Sequence, residues 1–150
     1  MQKTLEKYRS KKKNGGFTLV ELIIVIAIMA ALVAILAPQY MQYVDKSRKA
    51  ADQSTAEEIF TASKVAATDE TLGNGFTVTW NGSTITFGGT DGNKAKTVIL
   101  QNLGITAPAS GDAVLVAKYT GTKSTSYTVT YTPASGNTGA TVAQAGGWWS

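Results

Sequence analysis

The chain has 150 residues and contains neither histidine nor cysteine. This length allows one domain plus an accessory segment, and this composition excludes zinc sites, thiol nucleophiles, Ser-His-Asp triads and disulfide frameworks. The net charge of +4 is unevenly distributed: residues 1–16 carry six basic groups and one acidic group, whereas residues 17–150 carry eight basic and nine acidic groups. Without its first sixteen residues the chain is nearly neutral, so we expect no nucleic-acid partner.

An apolar segment follows the basic one, and residues 22–37 are apolar throughout. Counted with its interfacial ends, residues 17–44, it would form a helix of roughly 42 Å, which is long enough to cross a bilayer. A secretory signal would have small residues at a cleavage site after the apolar run, but Pro38 leads into further helix-compatible sequence. The basic flank predicts a cytoplasmic end, and processing is expected before the apolar run, at Gly15-Gly16.

Residues 16–22 read Gly-Phe-Thr-Leu-Val-Glu-Leu. This motif resembles the class III signal of type IV prepilins and of the pseudopilins of related secretion and competence systems, and the resemblance covers about residues 11–45. It implies that a membrane aspartic peptidase cuts between Gly16 and Phe17, and that Phe17 is then N-methylated. Glu21 would become the fifth residue of the mature chain.

The resemblance also implies an α+β pilin fold, in which a long N-terminal helix, transmembrane in its first half, packs its second half on a small antiparallel sheet. The expected function is that of a structural subunit, with no enzymatic activity and no cofactor. The expected partners are copies of itself, the prepilin peptidase/methyltransferase, the pilus assembly platform and, before assembly, the cytoplasmic membrane, after which the subunit would lie in an extracellular pilus. The alternatives are a pseudopilin of a type II secretion or competence system and a membrane-tethered binding module. Four segments are expected. Residues 1–16 are a cleaved leader and residues 17–44 are the transmembrane assembly helix. Residues 45–72 are its amphipathic continuation, and residues 73–150 are a β-rich head with a flexible C-terminal tail.

Glu21 is the one acidic residue beside the apolar run. A carboxylate in hydrocarbon is costly, and its presence is a functional hypothesis by default. Cleavage after Gly16 would free an α-amine on Phe17, about one helical turn from Glu21. Between chains this pair could set the axial register of a filament. The alternative is an interfacial glutamate with no partner.

Residues 39–68 are predicted to continue the helix, and Pro38 inside it predicts a kink. The family usually has a glycine eight residues before that proline, and here the position is Ala30. A sparse apolar stripe at helical spacing predicts one buried face: Tyr40, Val44, Ala51, Ile59, Ala62 and Ala66. The charged residues are assigned to the other, solvated faces: Lys46, Arg48, Lys49, Asp52, Glu57, Glu58 and Lys64. The helix is predicted to end within residues 68–73.

The remaining residues predict a β-rich head. The segments 76–80 and 83–87, joined by Asn81-Gly82, predict a hairpin with a type I′ turn that pairs Trp80 with Ser83. Residues 93–103 predict a short helix that stops at Gly104. Two strands at 113–120 and 126–132, joined by residues 121–125, are predicted to form a second hairpin. Residues 133–150, which are rich in glycine and serine, are predicted to form a flexible tail.

No catalytic, metal-binding or cofactor-binding residues are assigned, because the acids of the head and its junction with the helix are scattered: Asp69, Glu70, Asp91 and Asp112. The unusual feature of the head is Trp148-Trp149 behind two glycines. We expect this pair to pack on the head or on a neighbouring subunit. The alternative is that the two indoles stack on a glycan or on a partner surface.

Overall fold

The computed structural model of the chain describes residues 16–106, 111–123, 125–135 and 138–149. The leader predicted for residues 1–16 lies outside this part of the chain, apart from Gly16. The chain divides into two compact units, with the boundary between Gln42 and Tyr43. The elements, in chain order, are α1 (Leu19–Ala66), a 3-10 turn (Glu70–Leu72), β1 (Phe76–Trp80), β2 (Thr84–Gly88), α2 (Gly92–Asn102), β3 (Ala113–Val114), β4 (Tyr127–Thr132) and β5 (Thr141–Gly146).

The first unit contains the N-terminal part of α1, and its surface is apolar. Every large apolar side chain from Leu19 to Met41 is at least 48% exposed. By length and composition α1 is able to cross a membrane. Pro38 lies inside the helix, where its nitrogen cannot donate a backbone hydrogen bond. A helix that is apolar on all sides needs lipid or other helices around it.

In the second unit, one face of the C-terminal part of α1 is buried. Ala56, Ile59, Ala62 and Ala66 are at most 4% exposed, and their spacing of three or four residues is that of an amphipathic helix. The predicted stripe is therefore confirmed at Ile59, Ala62 and Ala66, whereas Tyr40 is 67% exposed. The helix ends two residues before the stretch in which its end was predicted.

This face of α1 packs against a five-stranded sheet with the strand order β3-β2-β1-β4-β5. All neighbouring strands are antiparallel. Val78, Ile85 and Val129 are fully buried in the same cluster as Ile59, and along β1 the apolar residues alternate with half-buried threonines. The predicted α+β class is confirmed.

The β1–β2 hairpin forms, but its register differs from the predicted one. Trp80 pairs with Ile85 instead of Ser83, so the loop between β1 and β2 is two residues longer than the predicted two-residue turn. A type I′ turn requires positive φ at Asn81, and among the described residues only glycines have positive φ. The side-chain oxygen of Asn81 instead accepts hydrogen bonds from the backbone N–H groups of Ser83 and Thr84, at 2.8 and 2.9 Å. Because the shift is two residues, every side chain keeps its predicted face.

The predicted second hairpin, between 113–120 and 126–132, is wrong. β3 contains only Ala113–Val114 and pairs with β2, whereas β4 pairs with β1 and β5. The residues after β3 hydrogen-bond to the β1–β2 loop, with the N–H of Leu115 donating to the carbonyl of Ser83 at 3.0 Å. These long-range pairings satisfy the backbone groups that a local hairpin would otherwise have paired.

β5 lies within the segment that was assigned to a flexible tail, residues 133–150. It pairs with β4 over six residue pairs, from Tyr127 with Gly146 to Thr132 with Thr141. The small residues of this segment are typical of loops, but the backbone of β4 needs a partner on the side away from β1, and β5 supplies it. β5 is therefore the outer strand on this side of the sheet.

The predicted helix at 93–103 is confirmed by α2. Ala95, Ile99 and Leu100 are fully buried, and they place α2 in the same core as the sheet. Gly104 has a φ of +67°, and the N–H of Ile105 donates to the carbonyl of Leu100 at 2.9 Å. The helix thus ends in a left-handed glycine, as the sequence predicted.

Candidate functional site

Glu21 and Thr18 form a capping box at the start of α1. The backbone N–H and the hydroxyl of Thr18 both donate to Oε2 of Glu21, each at 2.8 Å. The backbone N–H of Glu21 donates in return to Oγ1 of Thr18 at 3.2 Å. This reciprocal pattern satisfies N–H groups that the first helical turn leaves without a partner.

The capping box was missed from the sequence, although its Thr-x-x-Glu spacing before an apolar run is the usual pattern for one. Thr18 gives Glu21 a hydrogen-bond partner within its own chain, a contact that neither the register hypothesis nor the interfacial alternative included. Both bonds use Oε2, and Oε1 of Glu21 makes no hydrogen bond to another described residue. One carboxylate oxygen is thus left for a donor from outside the chain.

The peptide bond between Gly16 and Phe17 precedes α1 and lies outside regular secondary structure. Phe17 is 89% exposed, and a Cβ added at Gly16 would meet nothing within 4 Å. The described residues therefore give no steric reason for glycine at position 16.

The structure does not bring all the site residues that the sequence predicted into one place. Gly16, Phe17 and Glu21 lie within one short stretch at the start of α1, while Pro38 lies seventeen residues further along the same helix. Trp148 and Trp149 belong to the second unit.

Asp52 is a buried residue that sequence reasoning missed. It is 1% exposed and was assigned to the solvated face of the helix, which is wrong. Its Oδ1 accepts from the backbone N–H of Lys118 at 2.7 Å. Its Oδ2 accepts from the backbone N–H of Tyr119 at 3.0 Å and from Nε1 of Trp148 at 2.9 Å.

These three N–H donors replace the water that a carboxylate loses on burial. They also join three distant parts of the second unit, because Asp52 lies on α1, Lys118 and Tyr119 follow β3, and Trp148 follows β5. Among the described residues Asp52 forms no ion pair. A signal was present in the sequence, since Asp52 lies four residues before Ala56 and seven before Ile59, on the buried face.

The tryptophan pair packs on the head. Trp148 is 2% exposed and meets Trp80 edge-on with 4.7 Å between ring centroids. Trp149 is half-buried, with its ring 5.2 Å from Trp148 and 5.5 Å from Tyr127. Gly147 has a φ of +114°, which lets the chain turn between β5 and the indoles.

The acids of the head serve local structure. Asp69 caps the 3-10 turn by accepting from the backbone N–H of Thr71 at 2.9 Å. Asp91 is buried and accepts from the backbone N–H of Asn74 at 2.8 Å. In the part of the chain that the structure describes, no three residues of the metal-ligating types come together.

Asp91 predicts a pH dependence of stability. The hydrogen bond from the Asn74 N–H, assisted by the nearby Lys94 ammonium, holds the pKa of Asp91 below its ordinary value. The ionised form is therefore favoured by folding, so its contribution is present above the unfolded pKa of about 3.9 and is lost as the pH falls through the lower folded pKa. Asp91→Asn is expected to flatten the loss of melting temperature below about pH 4. Asp112→Asn, at an exposed position, is the control, and an equal flattening by both variants would contradict the assignment.

Comparison with known proteins identifies the N-terminal region. Residues 11–37 match the family model described as the prokaryotic N-terminal methylation motif. The N-terminus thus carries this methylation motif. The matched segment includes Gly16, Phe17 and the capping pair Thr18 and Glu21.

The chain is also similar to curated proteins. It is 33% identical over 110 residues to the type IV major fimbrial protein FimA of Dichelobacter nodosus. This alignment covers 73% of this chain and 64% of FimA. It is 36% identical over 56 residues to the type IV major pilin protein PilA of Myxococcus xanthus, covering 37% of this chain and 26% of PilA. It is 26% identical over 119 residues to the prepilin peptidase-dependent protein A of Clostridium perfringens, and this alignment covers 77% of this chain and 85% of that protein. The chain thus spans less than two thirds of FimA and of PilA. No solved structure matches it significantly.

Proposed function

We propose that the chain is a structural subunit that polymerises with copies of itself into a type IV pilus after its leader is removed. The observation that carries this proposal is the continuous apolar surface of α1, most of which lies within the segment that matches the methylation motif. The similarity to proteins named as a major fimbrial protein and a major pilin supports the same role.

The apolar surface of the first unit explains why the subunit needs two different environments. Each buried Å² of apolar surface contributes about 25 cal/mol, so α1 cannot stay in water as a single helix. In the precursor, the lipid of the cytoplasmic membrane covers this surface. In the extracellular filament, the same surface is covered by the helices of other subunits, which the assembly platform brings together.

The segments of the chain then have separate roles. Residues 1–16 are the leader that the prepilin peptidase removes before the same enzyme methylates Phe17. Residues 17–44 are the assembly helix, and residues 45–72 continue it into the head. Residues 73–150 form the head, which faces the surroundings of the filament.

The first test concerns leader cleavage. Gly16→Leu is expected to abolish processing, because a bulky side chain beside the scissile bond cannot enter a site built for glycine. Since Gly16 has open space around it in this fold, the substitution leaves the chain itself undisturbed. Mass spectrometry of the membrane subunit measures the result: the unchanged chain should begin at a methylated Phe17, and the variant should keep its leader.

Gly15→Leu, one residue further from the scissile bond, is the control, and it should be processed more completely than Gly16→Leu. A mature chain that begins beyond Pro38 would contradict the prepilin mechanism and favour an ordinary secretory signal. Electron microscopy of material sheared from the cell surface tests polymerisation itself. Surface subunits that never form filaments would instead support a membrane-tethered module.

A further inference from the structure

A pocket of about 310 Å³ lies within the second unit, between α1, the outer strand β5 and the end of the chain. Its polar lining comes from Gln53 and Glu57 on α1, Tyr127 on β4 and Gln144 on β5, and Trp149 forms its aromatic side. The volume falls at the lower end of the range for small-molecule sites. Nothing in the pilin role uses this pocket, because polymerisation is carried by the first unit.

The pocket combines hydrogen-bond donors with an ionised acceptor. The hydroxyl of Tyr127 donates to Oε1 of Gln144 at 2.6 Å, which leaves the Gln144 amide nitrogen as a donor. Burial, and secondly the charge of Glu57, raises the pKa of Tyr127 to about 12, so this hydroxyl remains a donor at neutral pH. Gln53 and Glu57 are exposed and make no side-chain hydrogen bond to another described residue.

The aromatic side of the pocket is fixed before any ligand arrives. Trp149 is held between Tyr127 and Trp148, and Trp148 is itself anchored by its hydrogen bond to the buried Asp52. An indole that is already ordered costs little further entropy when a ligand stacks on it. Trp148 and Trp149 are thus held in place by contacts within the head.

We propose that this pocket binds a neutral saccharide. A pyranose ring has a C–H face that packs on an indole and neighbouring hydroxyls that pair at the same time with amide donors and with a carboxylate. Trp149, Gln53, Gln144 and Glu57 provide these groups in one pocket. None of the described residues that line it is basic, so the Glu57 carboxylate disfavours an anionic sugar.

The test uses the full-length chain in micelles of a zwitterionic detergent, since detergents with sugar headgroups would compete. The probes are methyl β-galactoside, methyl α-mannoside, N-acetylglucosamine and, as the anionic comparison, sialic acid. Saturation-transfer NMR and calorimetry are expected to show at least one neutral sugar binding with a Kd of roughly 1 mM or tighter. Sialic acid is expected to bind at least about tenfold more weakly.

Trp149→Leu is expected to weaken that binding about tenfold, and Glu57→Gln should weaken it several-fold. Glu58→Gln is the matched control, because Glu58 is the neighbouring exposed acid and does not line this pocket. Near-UV circular dichroism checks that each variant is folded. Binding that Trp149→Leu leaves unchanged, or sialic acid that binds as well as the neutral sugars, would overturn the proposal.

A further outcome separates a saccharide from a second copy of the chain. If no neutral sugar binds and Trp149→Leu instead lowers the yield of filaments, the pocket receives a neighbouring subunit and the saccharide proposal fails. Because binding is measured on single subunits in micelles, its failure leaves the polymerisation role untouched. Conversely, saccharide binding by a chain that forms no filaments would leave this inference standing alone.

Discussion

Replacing Asp52 with alanine is expected to lower the free energy of unfolding of the second unit by about 3 kcal/mol. One buried and two partly buried N–H groups lose their acceptor, and a fully buried group left without one costs ~1–3 kcal/mol. The three donors belong to Lys118, Tyr119 and Trp148. Urea unfolding of the full-length chain in micelles, followed by tryptophan fluorescence, measures this loss.

Asp52→Asn should fall between alanine and the natural residue. Its carbonyl oxygen can keep the two bonds now made by Oδ2, but its –NH₂ group then faces the N–H of Lys118, a donor against a donor. Asp45→Ala is the control: it removes an acid from the same helix at a position with no hydrogen bond to another described residue. An Asp52→Ala variant that is as stable as Asp45→Ala would contradict the anchoring role.

Trp148→Phe isolates one of the three bonds. It keeps an aromatic ring beside Trp80 but removes the Nε1 donor, so a loss of about 1–2 kcal/mol is expected. The double variant with Asp52→Ala should lose less than the sum of the two single losses, since both changes break the same bond. Strict additivity would show that Asp52 and Trp148 contribute independently.

The role of Asp52 also shows which features the sequence could not predict. Its donors are separated from it by 66, 67 and 96 residues, and two of them are backbone groups, which every residue type carries. An aspartate among helix charges is usually solvated, so composition favoured the wrong assignment. Only its place in the register of Ala56 and Ile59 indicated burial.

The individual strands and the helix of the head were predicted better than the pairing of the strands in the sheet. Alternation along β1 and β2 gave the correct faces, because a register shift of two residues preserves them. The pairing of β4 with β1, across an intervening helix, depends on long-range packing that no local pattern encodes. β5 was missed because alanine, glycine and glutamine carry little strand preference, and its partner β4 supplies the order.

The N-terminal site was more predictable, since its residues act over one helical turn. The sequence placed Glu21 close to Phe17, and it also contained the Thr-x-x-Glu pattern of the capping box. The capping box adds a second role for Glu21, because the same carboxylate stabilises the start of α1 through Thr18. The two roles make different predictions for different substitutions.

Glu21→Ala and Glu21→Gln are both expected to leave the subunit in the membrane but to reduce filaments at least about tenfold, since charge pairs in a low dielectric are worth several kcal/mol. Removing a carboxylate from hydrocarbon should ease insertion by ~2–3 kcal/mol, so a loss of filaments points to a lost partner. The proposed partner is the α-amine of Phe17 on an adjacent subunit, which would meet the Oε1 that Thr18 leaves unused. The measurement is the yield of sheared filaments relative to the membrane level of the subunit.

Glutamine and threonine variants separate register from capping. Glu21→Gln keeps an oxygen that can accept from Thr18, so it removes the charge and largely retains the cap. Thr18→Val does the reverse: it removes the capping hydroxyl, at a cost of about 1 kcal/mol of helix stability, and keeps the carboxylate. If Glu21 sets the register, Glu21→Gln expressed alone forms no filaments, whereas Thr18→Val forms them. Co-expressed with the natural subunit, Glu21→Gln enters filaments, because it still presents its own amine. Filaments from Glu21→Gln but not from Thr18→Val would show that Glu21 acts in assembly only through the start of its own helix.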